Sequence, residues 1–223
     1  LEYALKQSGC RWLICADAFK TSDYHAMLHE LLPELESAAV GALQSHMLPE
    51  LRGVISLCDK PVDGMLQWQA LMEMAEQVGP EQLRQCGERL QFDDPINIQY
   101  TSGTTGQPKG LVHTSGGYLA AASWTHDFLF SHPDPARRDD DVHWCTADLA
   151  WVTAHTYEIY GPLSNGVTQV IYEGVPNAPH PGRHFEVIER YGVTSYYTAP
   201  TLIRSLMGWH PDGVPAEYDL SSI

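Results

Sequence analysis

The sequence predicts an α/β fold, a mostly parallel sheet covered by helices, and three observations point there. Short apolar runs rich in β-branched residues alternate with longer stretches of helical period. The strand-like runs are apolar throughout, as in strands buried on both faces. A loop of Gly, Ser and Thr follows directly on one of those runs, where open α/β sheets bind ligands. The chain has 223 residues, enough for one large α/β domain or somewhat more. Apolar residues at 43% against 18% charged give the composition of a packed core and exclude a disordered chain.

From the start, LEYALKQSG reads as a helix ending at Gly9, and RWLICAD (11–17) as a short buried strand. Ser22-Asp23 opens a helical stretch through HAMLHELLPELESAAVGAL, interrupted or kinked at Pro33. LRGVISLCD (51–59) is the next strand. In GMLQWQALMEMAEQ (64–77), Met65, Trp68, Leu71, Met72 and Ala75 recur at helical spacing, an apolar face read as core filling. INIQY (96–100) is a strand and SGGYLAAASWTHDFLF (115–130) a helix. DVHWCTAD (141–148), TQVIYEG (168–174) and VTSYYTAP (193–200) are further strands, with helices in HTYEIYGPL, RHFEVIERYG and TLIRSLM. SHPDPARRDDD (131–141) and, less sharply, GPEQLRQCGERLQFDDP (79–95) read as linkers. The chain divides into residues 1–95, an incomplete α/β subdomain, and residues 96–223. Both ends look cut, as in a piece of a larger protein.

Acidic residues outnumber basic ones 28 to 13, for a formal charge of −15. That excludes a sequence-independent grip on nucleic acid, which needs Lys and Arg at many phosphates. It leaves room for a small anionic ligand, because backbone N–H groups supply positive potential locally. No apolar run approaches the roughly 18 residues of a membrane span, and LEYALKQSG has no basic or apolar signal region. The five scattered cysteines form no C-x-x-C pair and read as reduced thiols of a cytoplasmic protein, with Cys145 a small apolar filler. His25 and His29 lie four apart, but without a third ligand nearby they read as a helix face.

The loop is YTSGTTGQPKG (100–110). It fails the Walker pattern, because Lys109 follows Pro108 and precedes Gly110 with no Ser or Thr after it. Its ingredients still suit an anion cradle. Gly103, Gly106 and Gly110 permit close backbone approach; Thr101, Ser102, Thr104 and Thr105 offer hydroxyl donors. Lys109 is the sole Lys or Arg between Arg89 and Arg137. On residues alone, a phosphate loop and an ordinary polar turn both stand.

YTSGTTGQPKG resembles the signature loop of the adenylate-forming enzymes, which comprise acyl-CoA synthetases, luciferases and peptide-synthetase adenylation domains. From about Gly110 onward, DVHWCTADLAWVTAHTYEIYGPLSNG, YEGVPN and YYTAPTLIRSLM look like acetyl- and propionyl-CoA synthetases. The earlier LEYALKQSGCRWLICADAFKTSDYHAML and FDDPINIQYTSGTTG are more like medium-chain fatty-acyl-CoA ligases. The resemblance implies part of the family's N-terminal domain. It also implies ATP, CoA and Mg2+ as cofactors and small molecules as partners: ATP, a short-chain carboxylate such as acetate or propionate, and CoA. Thr101 to Gly106 and Lys109 would hold the phosphates of ATP. Trp151, Val152 and Thr153 would line the acyl pocket and CoA channel, unless they are only a helix start capped by Thr153. His155 is a channel wall or a structural histidine, and Asn177 a CoA contact or a turn residue. Ala150 and Ala154 stand where the family usually has Gly, and an added methyl at either could narrow the pocket. The adenine and ribose motifs and the C-terminal adenylation lysine would fall past Ile223, so these 223 residues are expected to show no ligase turnover alone. A medium-chain ligase and a non-catalytic module keeping the fold are the competing readings.

Overall fold

Helix α1 (Glu2–Ser8) stops at Gly9, whose φ of 62° is a left-handed cap that costs glycine little. The computed structural model to which it belongs describes residues 1–101 and 106–223. The chain falls into two units, Leu1–His113 and Thr114–Ile223.

In the first unit, β1 (Trp12–Cys15) is followed by the antiparallel pair β2 (Ala18–Phe19) and β3 (Ser22–Asp23). Helix α2 (Tyr24–Leu31) then starts under an Asp23 cap, whose carboxylate accepts the Ala26 N–H at 2.9 Å. Pro33 ends that helix as expected, but only a five-residue 3₁₀ turn (Pro33–Ser37) follows, and residues 38–52 run irregularly. The leucines of that stretch are buried all the same: Leu35, Leu43, Leu48 and Leu51 join Leu28, Leu32 and Val54 in one core. Each such side chain contributes about 1.5–3 kcal/mol by leaving water, so burial holds the segment where helix hydrogen bonds do not.

β4 (Gly53–Ser56) lies parallel between β1 and β5 (Met65–Gln67), Leu13 opposite Val54 and Ile55 opposite Leu66. Central β4 is buried along its length, whereas β1 is half exposed, with Ile14 at 52%, so the expectation of a buried first strand fails at this edge. Residues 64–77 are not one helix. Met65 is taken by β5 and is buried in the core, and α3 (Trp68–Ala75) begins after it with no buried residue, so of the Met-rich face only Met65 fills a core. The expected linker at 79–95 contains α4 (Pro80–Glu88), with proline at its first turn. β6 (Pro95–Tyr100) pairs with β7 (Gly110–Thr114) across the glycine loop.

The second unit opens with α5 (Ser115–Phe130), on the bounds the sequence predicts. Segment 131–141 is a tied loop: Asp141 is buried and accepts the His132 N–H at 2.8 Å, and Arg138 pairs with Asp127 at 2.8 Å. β8 (Val142–Cys145) is the centre of a parallel sheet. After it come α6 (Val152–Ala154), a π-helical turn (His155–Tyr160), α7 (Gly161–Ser164), β9 (Thr168–Gln169), α8 (Arg183–Tyr191), β10 (Ser195–Tyr197) and α9 (Pro200–Trp209). β9 is shorter than the TQVIYEG run, whose remainder leaves the sheet. Trp144, Val187, Ile188 and Val193 form the core between sheet and α8. Parallel strands with helical crossovers are the predicted fold class.

Candidate functional site

β10 runs parallel to β8, Ser195 opposite His143 and Tyr197 opposite Cys145. Their carboxyl ends therefore release the chain side by side. Residues 145–148 and 197–201 wall a cavity of about 490 Å³, closed by Trp151 and Thr153. It lies within the size range of small-molecule sites. Four threonines line it, Thr146, Thr153, Thr198 and Thr201, together with Tyr197, and the first and third threonines are hydrogen-bonded at 2.5 Å, tying the two strand ends together. Asp148 holds the turn after β8 by accepting the Ala150 N–H at 2.8 Å.

The structure brings together only part of the expected set. Trp151, 64% exposed, and Thr153 face the cavity. Val152 does not line it; its carbonyl accepts from Tyr118 Oη and Thr156 Oγ1. Thr153 sits inside α6, and the residue at the helix cap is Trp151. His155 is bonded through Nε2 to the Leu149 carbonyl at 2.9 Å and so braces the same turn. Asn177 is exposed in a turn and lines neither this cavity nor its neighbour. Ala150 and Ala154 do not line the cavity either, so their methyl groups do not narrow it; Ala154 is fully buried.

At the glycine loop, Thr101 donates its N–H to the Lys109 carbonyl at 3.0 Å, and Lys109 donates its N–H to Thr101 Oγ1 at 3.0 Å. These two bonds close the neck of the loop. Ser102, Gly103, Thr104 and Thr105 lie outside the described residues. Gly106 and Lys109 are exposed, and among the described residues no carboxylate pairs with the Lys109 ammonium.

Sequence reasoning missed a second cavity of about 720 Å³ that shares segment 145–148 and is walled by Trp144, Tyr172, His184 and Glu158. Burial, then the charge of Asp148, pushes the Glu158 carboxyl up to about 7, against a hydrogen bond from Cys145 that lowers it. Burial pushes the Cys145 thiol up to about 11, so it is a filler and not a nucleophile. The signal for Glu158 was one acid inside the apolar helix HTYEIYGPL. Among the described residues no group of three His, Cys, Asp or Glu side chains is placed to hold a metal, and no helix is long and apolar enough to cross a membrane.

Known proteins are similar to the chain. Acetyl-coenzyme A synthetase of Mycolicibacterium smegmatis is 60% identical over 131 residues, 59% of this chain and 13% of that protein. The protein of that name from Streptomyces avermitilis is 55% identical over 136 residues, 61% of this chain and 20% of its own length. The chain thus spans about a fifth or less of these relatives. The solved acetoacetyl-CoA synthetase from Streptomyces lividans covers 100% of the chain with 31% of its own, at a TM-score of 0.66 and 25% identity. The anthranilate CoA ligase AuaEII, solved with anthranoyl-AMP, shares the fold, with a TM-score of 0.64 at 21% identity over 99% of this chain and 36% of its own. The description of AMP-binding enzymes fits without interruption from residue 1 to residue 223, and the chain belongs to that family.

Proposed function

We propose that the chain serves an AMP-forming carboxylate–CoA ligase acting on a short-chain acid such as acetate or propionate. The observation that carries this reading is the cavity at the ends of β8 and β10, with Trp151 and Thr153 in its wall. In the first half-reaction an acid oxygen attacks the α-phosphorus of ATP, the bond to the β-phosphate oxygen breaks, and pyrophosphate leaves. In the second, the CoA sulfur attacks the acyl carbon, the thiol proton is released, and AMP departs. Such steps need positioning and charge stabilisation more than covalent help. Lys109, with no carboxylate paired to it among the described residues, would hold the departing phosphates together with the amides and hydroxyls of residues 101–106. Trp151 would bound the acyl chain. The threonine hydroxyls and the turn braced by Asp148 and His155 would fix the acyl-adenylate. Mg2+ would ride on the nucleotide phosphates, since it keeps much of its water and needs few protein ligands.

His155 and Asn177 are proposed as support and CoA contact respectively, and residues 1–95 and 96–223 as the two functional parts. The five free thiols support a cytoplasmic setting.

Calorimetry with alkyl esters of AMP tests the reading, using ethyl, propyl, butyl and octyl chains as mimics of the acyl-adenylate. Ethyl and propyl esters are expected to bind about tenfold more tightly than octyl, and Trp151→Ala to remove that preference. Tighter octyl binding would assign a medium-chain acid, and no binding by any ester would leave a non-catalytic module.

A further inference from the structure

The larger cavity is untouched by the proposed reaction, yet its wall is built for something. Glu158, 6% exposed, and His184, 2% exposed, both stand in it. The Nδ1 of His184 is bonded to Tyr196 Oη at 2.8 Å, while its Nε2 is buried with no hydrogen-bond partner among the described residues. A buried imidazole nitrogen left unmet is costly, and a ligand in the cavity would recover that cost. In the tautomer that donates the Nδ1 proton to Tyr196, Nε2 is an acceptor. The other polar groups have the same character: Asp148 and Glu173 join Glu158 in the wall, and no lysine or arginine lines it. Arg183 stands over the Tyr172 ring at 5.5 Å but is committed to Glu186 at 2.8 Å. The apolar part of the wall is aromatic, with Trp144 stacked on His184 at 4.8 Å between centroids.

We propose that this cavity binds a small organic ammonium ion with an apolar body. Its N–H donors are met by Glu158, Asp148 and His184 Nε2, and its hydrocarbon part by Trp144 and Tyr172. Charge-assisted hydrogen bonds and the aromatic faces both favour a cation. The burial that resists ionisation of Glu158 makes an arriving positive charge welcome there. The groups facing that carboxyl are Cys145 from β8 and Asp148 from the turn after it, with Glu173 and His184 across the cavity. This inference does not depend on the ligase reading.

Calorimetry on the whole chain with phenethylammonium, phenethyl alcohol and phenylacetate separates charge from shape. The cation is expected to bind at about 1 mM or tighter and at least about tenfold more strongly than the alcohol, with phenylacetate weakest. Its affinity should fall about tenfold from about pH 8 to about pH 6 as Glu158 takes up a proton. Glu158→Gln should remove both the preference for the cation and the pH dependence while melting as a folded protein. Should that variant not fold, exposed Asp148→Asn carries the same test, with a loss of at least about threefold. Equal affinity for the three probes, no binding of the cation, or a folded Glu158→Gln with unchanged affinity would overturn the proposal.

Discussion

A methyl group at Gly161 would have no room. A Cβ there would lie 2.6 Å from the Thr156 carbonyl oxygen and 2.9 Å from His126 Cβ, so α5 and α7 approach as closely as they do only because the first residue of α7 is glycine. Gly161→Ala is expected to destabilise the chain by about 1–3 kcal/mol, measurable as a lower urea midpoint at unchanged slope. Glu158 gives the second residue-scale prediction. Its carboxyl titrates near 7 when folded and near 4.5 when free, so its contribution is fully present below 4.5 and is lost as pH rises through 7. Glu158→Gln should therefore melt higher than the parent above pH 7 and lose the gap toward pH 4. Equal melting curves for parent and variant across that range would refute the assignment. At this scale the likeness of WVTAH to the family singled out Trp151, Val152 and Thr153, of which Trp151 and Thr153 stand in the cavity wall. It hid His184, because whether a histidine nitrogen finds a partner depends on tertiary neighbours.

Among the elements, three histidines stand in the second unit without charge. His126 and His143 are 4.9 Å apart, and His184 stacks on Trp144. Burial lowers all three, the latter two to about 4. The free imidazole titrates near 6.5, so the stability they confer is intact above that value and drains away as pH falls toward 4. This slope opposes that of Glu158, and three groups outweigh one. Melting by near-ultraviolet dichroism should show a steep loss between about pH 6 and pH 4, and a double His143→Asn, His184→Asn variant that still folds should show a shallower one. Elements with a strong period or a sharp stop were legible: α5 by its length, and α1 and α8 by Gly9 and Gly192, both left-handed. Met65 misled because one residue fits a strand or a helix equally well, and the pairing with Val54 decided for the strand. β9 misled because apolar VIY extended the strand pattern past Gln169, where the strand ends although Val170 still donates its N–H to the His143 carbonyl at 2.9 Å.

Over the whole molecule, acid-sensitive groups are unevenly spread. In Leu1–His113 the shifts that burial causes are upward ones, on the thiols of Cys10 and Cys15, which do not titrate in acid. Hydrogen exchange at about pH 5 is thus expected to quicken in residues 114–223 before residues 1–113, and the reverse order would contradict the histidine argument. The net charge of −15 makes a further expectation: no retention on double-stranded DNA at about 0.1 M salt. The fold class was readable at this scale because alternation of element types survives errors at their ends. The two cavities were not, since the larger draws on five separate stretches of the chain and the smaller on turns whose direction only coordinates give.

Trp144 is 1% exposed, whereas Trp12, Trp68, Trp124 and Trp151 are each more than 40% exposed. Its indole rests against the very imidazole that gains a proton when the second unit opens in acid. A protonated imidazole quenches indole emission, so the protein carries its own optical gauge: a short-wavelength component of its fluorescence that dims and reddens as the core admits water.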